Sequence, residues 1–198
     1  MAYNQFTLKQ LRNDYQLEIG ASEALYAEVP SVAISSWLTE TLAKQTGVAL
    51  RSRSEKARSE YIIAPILLEV YDQLREKVNF FSGVEFNVDA SQGLTGYCDF
   101  LYTLSPRTPD ILAPVISVVE AKKEDIINGI PQCLAELVAA QIFNAAENSP
   151  IETLYGVVTN GEVWKFLSLR GIKAAIDTDE YFLNEPDKIV GIIMSMLS

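Results

Sequence analysis

Histidine is absent from this 198-residue chain, and that absence alone removes much of enzyme chemistry. Without an imidazole there is no Ser-His or Cys-His nucleophile pair and no His-ligated zinc site. Cysteine is nearly absent as well. Cys98 and Cys133 sit within apolar patterns and read as small buried thiols, not as a disulfide framework. A metal here must therefore be held by oxygen ligands, which favours magnesium or manganese. No apolar run approaches the roughly 20 residues that span a bilayer, and the opening MAYNQFTLKQLRNDYQL has no apolar stretch behind a basic start. The expectation is a cytoplasmic protein with no membrane partner. Repeats and low-complexity tracts are missing, and the lack of a glycine-rich phosphate loop ranks nucleotide hydrolysis low. Positive charge is scarce: 16 Lys and Arg against 26 Asp and Glu give a net charge of −10. That is the wrong sign for gripping nucleic acid over a whole surface. Such affinity would need a local basic strip, a basic partner, or a metal bridging acids to phosphate.

What is present suits one globular domain, with 48% hydrophobic and 21% charged residues. Residues 5–19 predict a short amphipathic helix and 31–45 a second. The stretch 51–77 is strongly helical, with Ile62, Ile66, Val70 and Leu74 forming a core-facing stripe and Pro65 marking a kink or the start of its regular part. Strands are expected over 84–90, 96–104 and 113–123 as an antiparallel meander, with turn residues in SQGLTG and SPRTPD. A helix follows over 128–148, its first turn near Pro131. Strands over 153–161 and 163–171 join around Asn160-Gly161, a hairpin signal, and EPDKIVGIIMSML closes the chain as a helix. The fold class expected is α/β, a central mixed sheet with helices on both faces.

The stretch VISVVEAKKE, 115–124, raises the functional question. An apolar, β-branched run ends abruptly in charge. Glu120 and Lys122, two apart on a strand, share a face. They are either a strand's exit into solvent or a working pair, and a lone Glu-x-Lys is usually the former. Asp99 lies inside another apolar strand between Cys98 and Phe100. It is either a bulge or edge residue, or a buried acid that needs a cation or strong donors. Two carboxylates and the carbonyl of Ala121 could hold magnesium through oxygen, with an ammonium beside them to orient water or steady negative charge. Arg51, Arg53, Lys56 and Arg58 form the only dense basic cluster, either a solvated helix start or a phosphate contact. Lys123 should point away from Lys122. Gln132 and Glu136, four apart, share a helix face. Trp37, Trp164 and the tyrosines read mostly as core or rim residues, with no spacing that suggests a stacking platform.

Taken together, Asp99 and Glu120-Ala121-Lys122 resemble the bipartite signature of the PD-(D/E)XK nuclease superfamily, the restriction-endonuclease-like fold. The resemblance covers about residues 51–171, and is closest to nuclease domains of type I restriction subunits. It implies a nuclease core over 51–171 within one domain of 1–198, with 1–50 an N-terminal helical extension and 172–198 a C-terminal extension packed on the core. It implies Asp99 and Glu120 as metal ligands, with Ala121 contributing its carbonyl and Lys122 as the catalytic lysine. Gln132 lies where RecB-like branches carry an active-site glutamine. SEKARSEYIIAPIL resembles the first core helix, whose acid completes the metal site; Glu55 matches better and Glu60 competes. Two positions depart from the pattern: no proline precedes Asp99, and Glu136 stands where RecB-like sequences carry a tyrosine. The activity implied is magnesium- or manganese-dependent hydrolysis of DNA phosphodiester bonds, in restriction or repair. DNA would be reached alone, through a partner protein, or by a homo-oligomer. The alternative is a catalytically silent module of the same fold that binds protein or nucleic acid.

Overall fold

The computed structural model describes residues 2–21, 23–105, 108–122 and 125–198. The predicted helix over 5–19 is helical only at Leu8–Asp14 (α1). Thr7 caps it: its hydroxyl accepts from the Gln10 N–H, and the Gln10 side chain accepts from the Thr7 N–H. Gln16, at φ 56°, then turns the chain into a short strand, Glu18–Gly20 (β1). The second helix begins later than 31, at Ser36–Ser52 (α2), because Ser35 supplies the cap to the Leu38 N–H.

Residues 51–77 are not one helix. Arg53 sits in the left-handed region, and a new helix starts at Glu55–Arg58 (α3), capped by Ser54. A π turn over Ser59–Ile63 leads into Ala64–Leu74 (α4), with the Ala64 N–H bonded to the Ser59 carbonyl. Pro65 has no N–H to give, and the widened turn in front of it accommodates that loss without ending the helix. The predicted stripe of Ile62, Ile66, Val70 and Leu74 is buried in full.

The strands are Asn79–Glu85 (β2), Tyr97–Thr103 (β3), Val115–Ala121 (β4), Leu154–Thr159 (β5), Val163–Arg170 (β6), Lys173–Ile176 (β7) and Tyr181–Phe182 (β8). Two helices complete the fold, Ile130–Ala146 (α5) and Pro186–Met196 (α6). β2 begins five residues earlier than the strand expected over 84–90. The alternation in that stretch belongs to an irregular arm, where the Phe86 and Val88 N–H groups bond to the Gly96 and Leu94 carbonyls. The sheet runs β1-β7-β6-β5-β4-β3-β2, with β8 paired to β6. It is mixed: β4 pairs with β5 in parallel, and α5 crosses between them, while β2-β3-β4 form the antiparallel meander.

Helices cover both faces. α5 and α1 pack on one side over Val118, Val158 and Leu167; α2, α4 and α6 pack on the other over Val119, Trp164 and Phe166. Buried Asn144 ties α5 to the sheet, accepting from the Val115 N–H and donating to the Val115 carbonyl, both at 2.7 Å. Cys98 and Cys133 are free, buried thiols. The stretches expected as extensions are woven into the sheet: β1 from the N-terminal fifty residues pairs in parallel with β7 from the C-terminal part. Among the described residues no helix is long and apolar enough to cross a membrane.

Candidate functional site

The site forms where β3 and β4 part company. Their register pairs Leu101 with Val118 and Phe100 with Val119, and the ladder stops there. One step further Asp99 comes opposite Glu120. Instead of a backbone bond, the Asp99 carboxylate accepts the Ala121 N–H at 2.8 Å. β4 is meanwhile held by β5 to its end, with the Lys122 N–H bonded to the Thr159 carbonyl at 2.7 Å. One strand therefore stays while its neighbour leaves, and the gap receives both acids.

Glu120 shares a face with Val118, the side covered by α5. Lys122 donates to Glu120 and, at 3.0 Å, to the Gln132 Oε1. Gln132 in turn donates from Nε2 to Glu136 at 3.1 Å. The direction of this chain is forced. An ammonium can only donate, so Gln132 must show Lys122 its oxygen and turn its nitrogen to an acceptor, which Glu136 supplies. α5 can begin this close because of Gly129. A Cβ there would lie 2.6 Å from Val158 Cγ1 and 3.1 Å from Lys122 Cε.

Glu55, Asp99, Glu120, Lys122 and Gln132 line one cavity of about 440 Å³, walled also by Ala2, Tyr3, Asn4, Gly96 and Tyr97. Of the two candidate helix acids, Glu55 reaches this cavity, whereas Glu60 pairs with Lys56 at 3.5 Å on the outside. The basic cluster divides: Arg58 is committed to Glu162 and the Asn160 carbonyl, while Arg51, Arg53 and Lys56 stay exposed. Lys123 lies outside the described residues. Sequence reasoning left Glu136, with Gln132, between a plain polar helix face and part of a site, and it read Tyr97 with the other tyrosines as core or rim without a role of its own. A buried glutamate four residues from Gln132 was the available signal for the first; for the second there was none. A larger hollow of about 590 Å³ between α2 and the β8–α6 corner has one charged side chain, Glu162, and offers no chemistry.

The acids are crowded. Burial, and then the Asp99 charge, push the Glu120 carboxyl up to about 8 despite Lys122. Glu136, fully buried, is raised strongly by burial and then by Glu120. Asp99 is raised by burial, against the pull of the Ala121 N–H and Lys122. Burial alone would lower Lys122, but Glu120 outweighs it and the ammonium is held charged more firmly than usual. With Asp99, Glu120 and Glu136 all ionised, Lys122 compensates one of three negative charges. Glu120 Oε2 and Glu136 Oε2 are buried with no other donor in reach, so the two carboxyls bond to each other only through a retained proton.

A divalent ion would answer that imbalance. Among the described residues no three Cys, Asp or Glu side chains stand close enough to enclose one. The donor set is instead a pair of carboxylates with hard oxygens, and magnesium commonly binds through one or two carboxylates while keeping its waters. The residues fit that mode.

A buried acid crowded against a second one, as Glu136 is against Glu120, is a destabilising feature. Glu136→Gln retains the acceptor for Gln132 and removes the cost of keeping a buried carboxyl protonated. It is expected to stabilise the metal-free protein by about 1 kcal/mol near neutral pH, roughly 2–4 °C in Tm. Thermal melts of the two proteins check this; an unchanged or lower Tm would contradict the charge crowding described here.

No model of a known protein family matches the chain, and no curated protein sequence matches it.

Proposed function

We propose that this protein is a magnesium- or manganese-dependent nuclease of restriction-endonuclease-like architecture, hydrolysing DNA phosphodiester bonds in restriction or repair. The observation that carries the reading is the convergence of Asp99, Glu120 and Lys122 from two parting strands into one cavity, where the crowded acids hold on to protons that a divalent ion would displace. Asp99 and Glu120 would hold the metal, aided by the Ala121 carbonyl, and Glu55 on the same cavity would reach it through a metal-bound water. The metal, when bound, would supply Lewis acidity toward the phosphate and lower the pKa of the attacking water. Lys122 steadies negative charge on the phosphate oxygens or orients the water, and Gln132, held by Glu136, keeps the ammonium aimed. A water oxygen bonds to phosphorus as one ester P–O bond breaks, and the leaving oxygen is protonated from solvent.

The −10 net charge and the engagement of Lys122 with both Glu120 and Gln132 favour a second reading, a silent module of the same fold. Labelled DNA incubated with the protein separates the two. Cleavage is expected with magnesium or manganese and none with a chelator, and calorimetric manganese titration should show a site that Asp99→Asn abolishes. A wild-type protein that neither cuts nor binds manganese would leave the silent module.

A further inference from the structure

Tyr97 is 65% exposed, and among the described residues no large apolar or aromatic side chain is more so. It stands at the rim of the cavity, two residues before Asp99 on β3. No described residue stacks on its ring. A single exposed ring needs no explanation on its own, but this one stands at the mouth of the acidic cavity and the backbone carrying it is locked in place. Gly96 has φ +147°, where a Cβ would meet the Tyr3 ring at 3.0 Å. Its N–H bonds to Asn87 Oδ1 at 3.0 Å, its carbonyl accepts the Phe86 N–H at 2.8 Å, and the Tyr3 N–H bonds to the Thr95 carbonyl at 3.1 Å. An exposed ring is thus presented on a rigid support beside exposed Asn4, in the cavity that Glu55 also lines.

The acids lie below this rim. Glu120 is 2% exposed and Asp99 is half-buried, so a phosphate must enter the cavity to reach them. Intact duplex holds each base between its neighbours and offers no free π face. A single strand can bend inward and lay an unpaired base on an aromatic ring, a contact that tolerates any base. We infer that Tyr97 is a stacking platform for an unpaired nucleobase next to the scissile phosphate, so that the substrate is single-stranded DNA and not intact duplex. The inference rests on the nuclease reading for its chemistry, but its test does not need cleavage.

Fluorescence anisotropy of a short labelled oligothymidylate, and of a labelled duplex of similar length, measures binding to the full chain with calcium in place of magnesium. The wild type is expected to bind the single strand more tightly than the duplex. Tyr97→Ala should weaken single-strand binding about fivefold or more, the scale of one lost base–aromatic stack, with the duplex little changed. Tyr97→Phe, which keeps the ring, should bind as the wild type does. Tyr97 is exposed, so the variants should fold, and circular dichroism checks that. Equal affinity for the two DNAs, no binding of either, or single-strand affinity unchanged in Tyr97→Ala overturns the platform. Ring-dependent strand binding without cleavage in magnesium sinks the nuclease reading and leaves the platform. Cleavage with ring-independent binding does the reverse.

Discussion

Under the proposed nuclease function, Lys122→Met is expected to cut DNA cleavage about a thousandfold, the scale of losing a preorganised cationic group at a reacting phosphate. Stability should suffer far less. Stripping the partner from a buried ion pair ordinarily costs about 3–5 kcal/mol, because a bare charge is left behind. Here Glu120 has an escape. Its carboxyl already lies up at about 8 with Lys122 present, so near neutral pH it mostly keeps its proton and no bare charge is left when the ammonium goes. The loss should be about 1–2 kcal/mol, a fall in Tm of roughly 2–8 °C. Lys44→Met, on an exposed lysine paired only with Glu40, serves as the control and should change neither quantity. Cleavage rates and melts on both variants are the measurement. A Lys122→Met enzyme retaining a tenth or more of its activity would remove lysine from the chemistry.

The metal-free protein should lose stability as the pH rises from about 5 to about 8. Glu120 ionises near its ordinary 4.5 in the unfolded chain but keeps its proton to about 8 in the folded one. Across that window the folded state binds the extra proton, so raising the pH favours unfolding. Asp99 and Glu136, raised by burial, act in the same direction. Glu69, whose burial is outweighed by hydrogen bonds from Ser35 and Gln73, is lowered and acts oppositely, only below the ordinary carboxyl range. The change should amount to about 1–3 kcal/mol. With no histidine in the chain, no imidazole titrates in this window to obscure it. Urea unfolding at several pH values checks the slope, which Glu120→Gln should flatten. Added magnesium should restore stability at the alkaline end and do little at the acid end. A slope of the opposite sign would mean that Glu120 is not held neutral by its surroundings.

Local patterning made most of the framework legible. The stripe of Ile62, Ile66, Val70 and Leu74, the Asn160-Gly161 hairpin, the β3–β4 pairing and the long helix after Pro131 all rest on periodicity or turn chemistry that a few neighbouring residues carry. β1, β7 and β8 were not legible, because strands of two to four residues have no measurable period and exist only through their partners. The break at Arg53 was equally hidden, since a left-handed arginine leaves no compositional mark.

The same division holds for the site. By itself the sequence determined its chemistry: no histidine, two isolated thiols, an acid in an apolar strand, and a Glu-x-Lys pair whose two-residue spacing puts both side chains on one face. Only the tertiary structure decided the rest. It chose Glu55 over Glu60, brought Asp99 to the Ala121 amide by letting β3 leave β4, set Glu136 behind Gln132, and placed Tyr97 on the rim. Spacing along a chain fixes direction within one strand or helix. Distances between elements depend on where a sheet ladder ends and how closely a helix can approach it, and those are settled by packing.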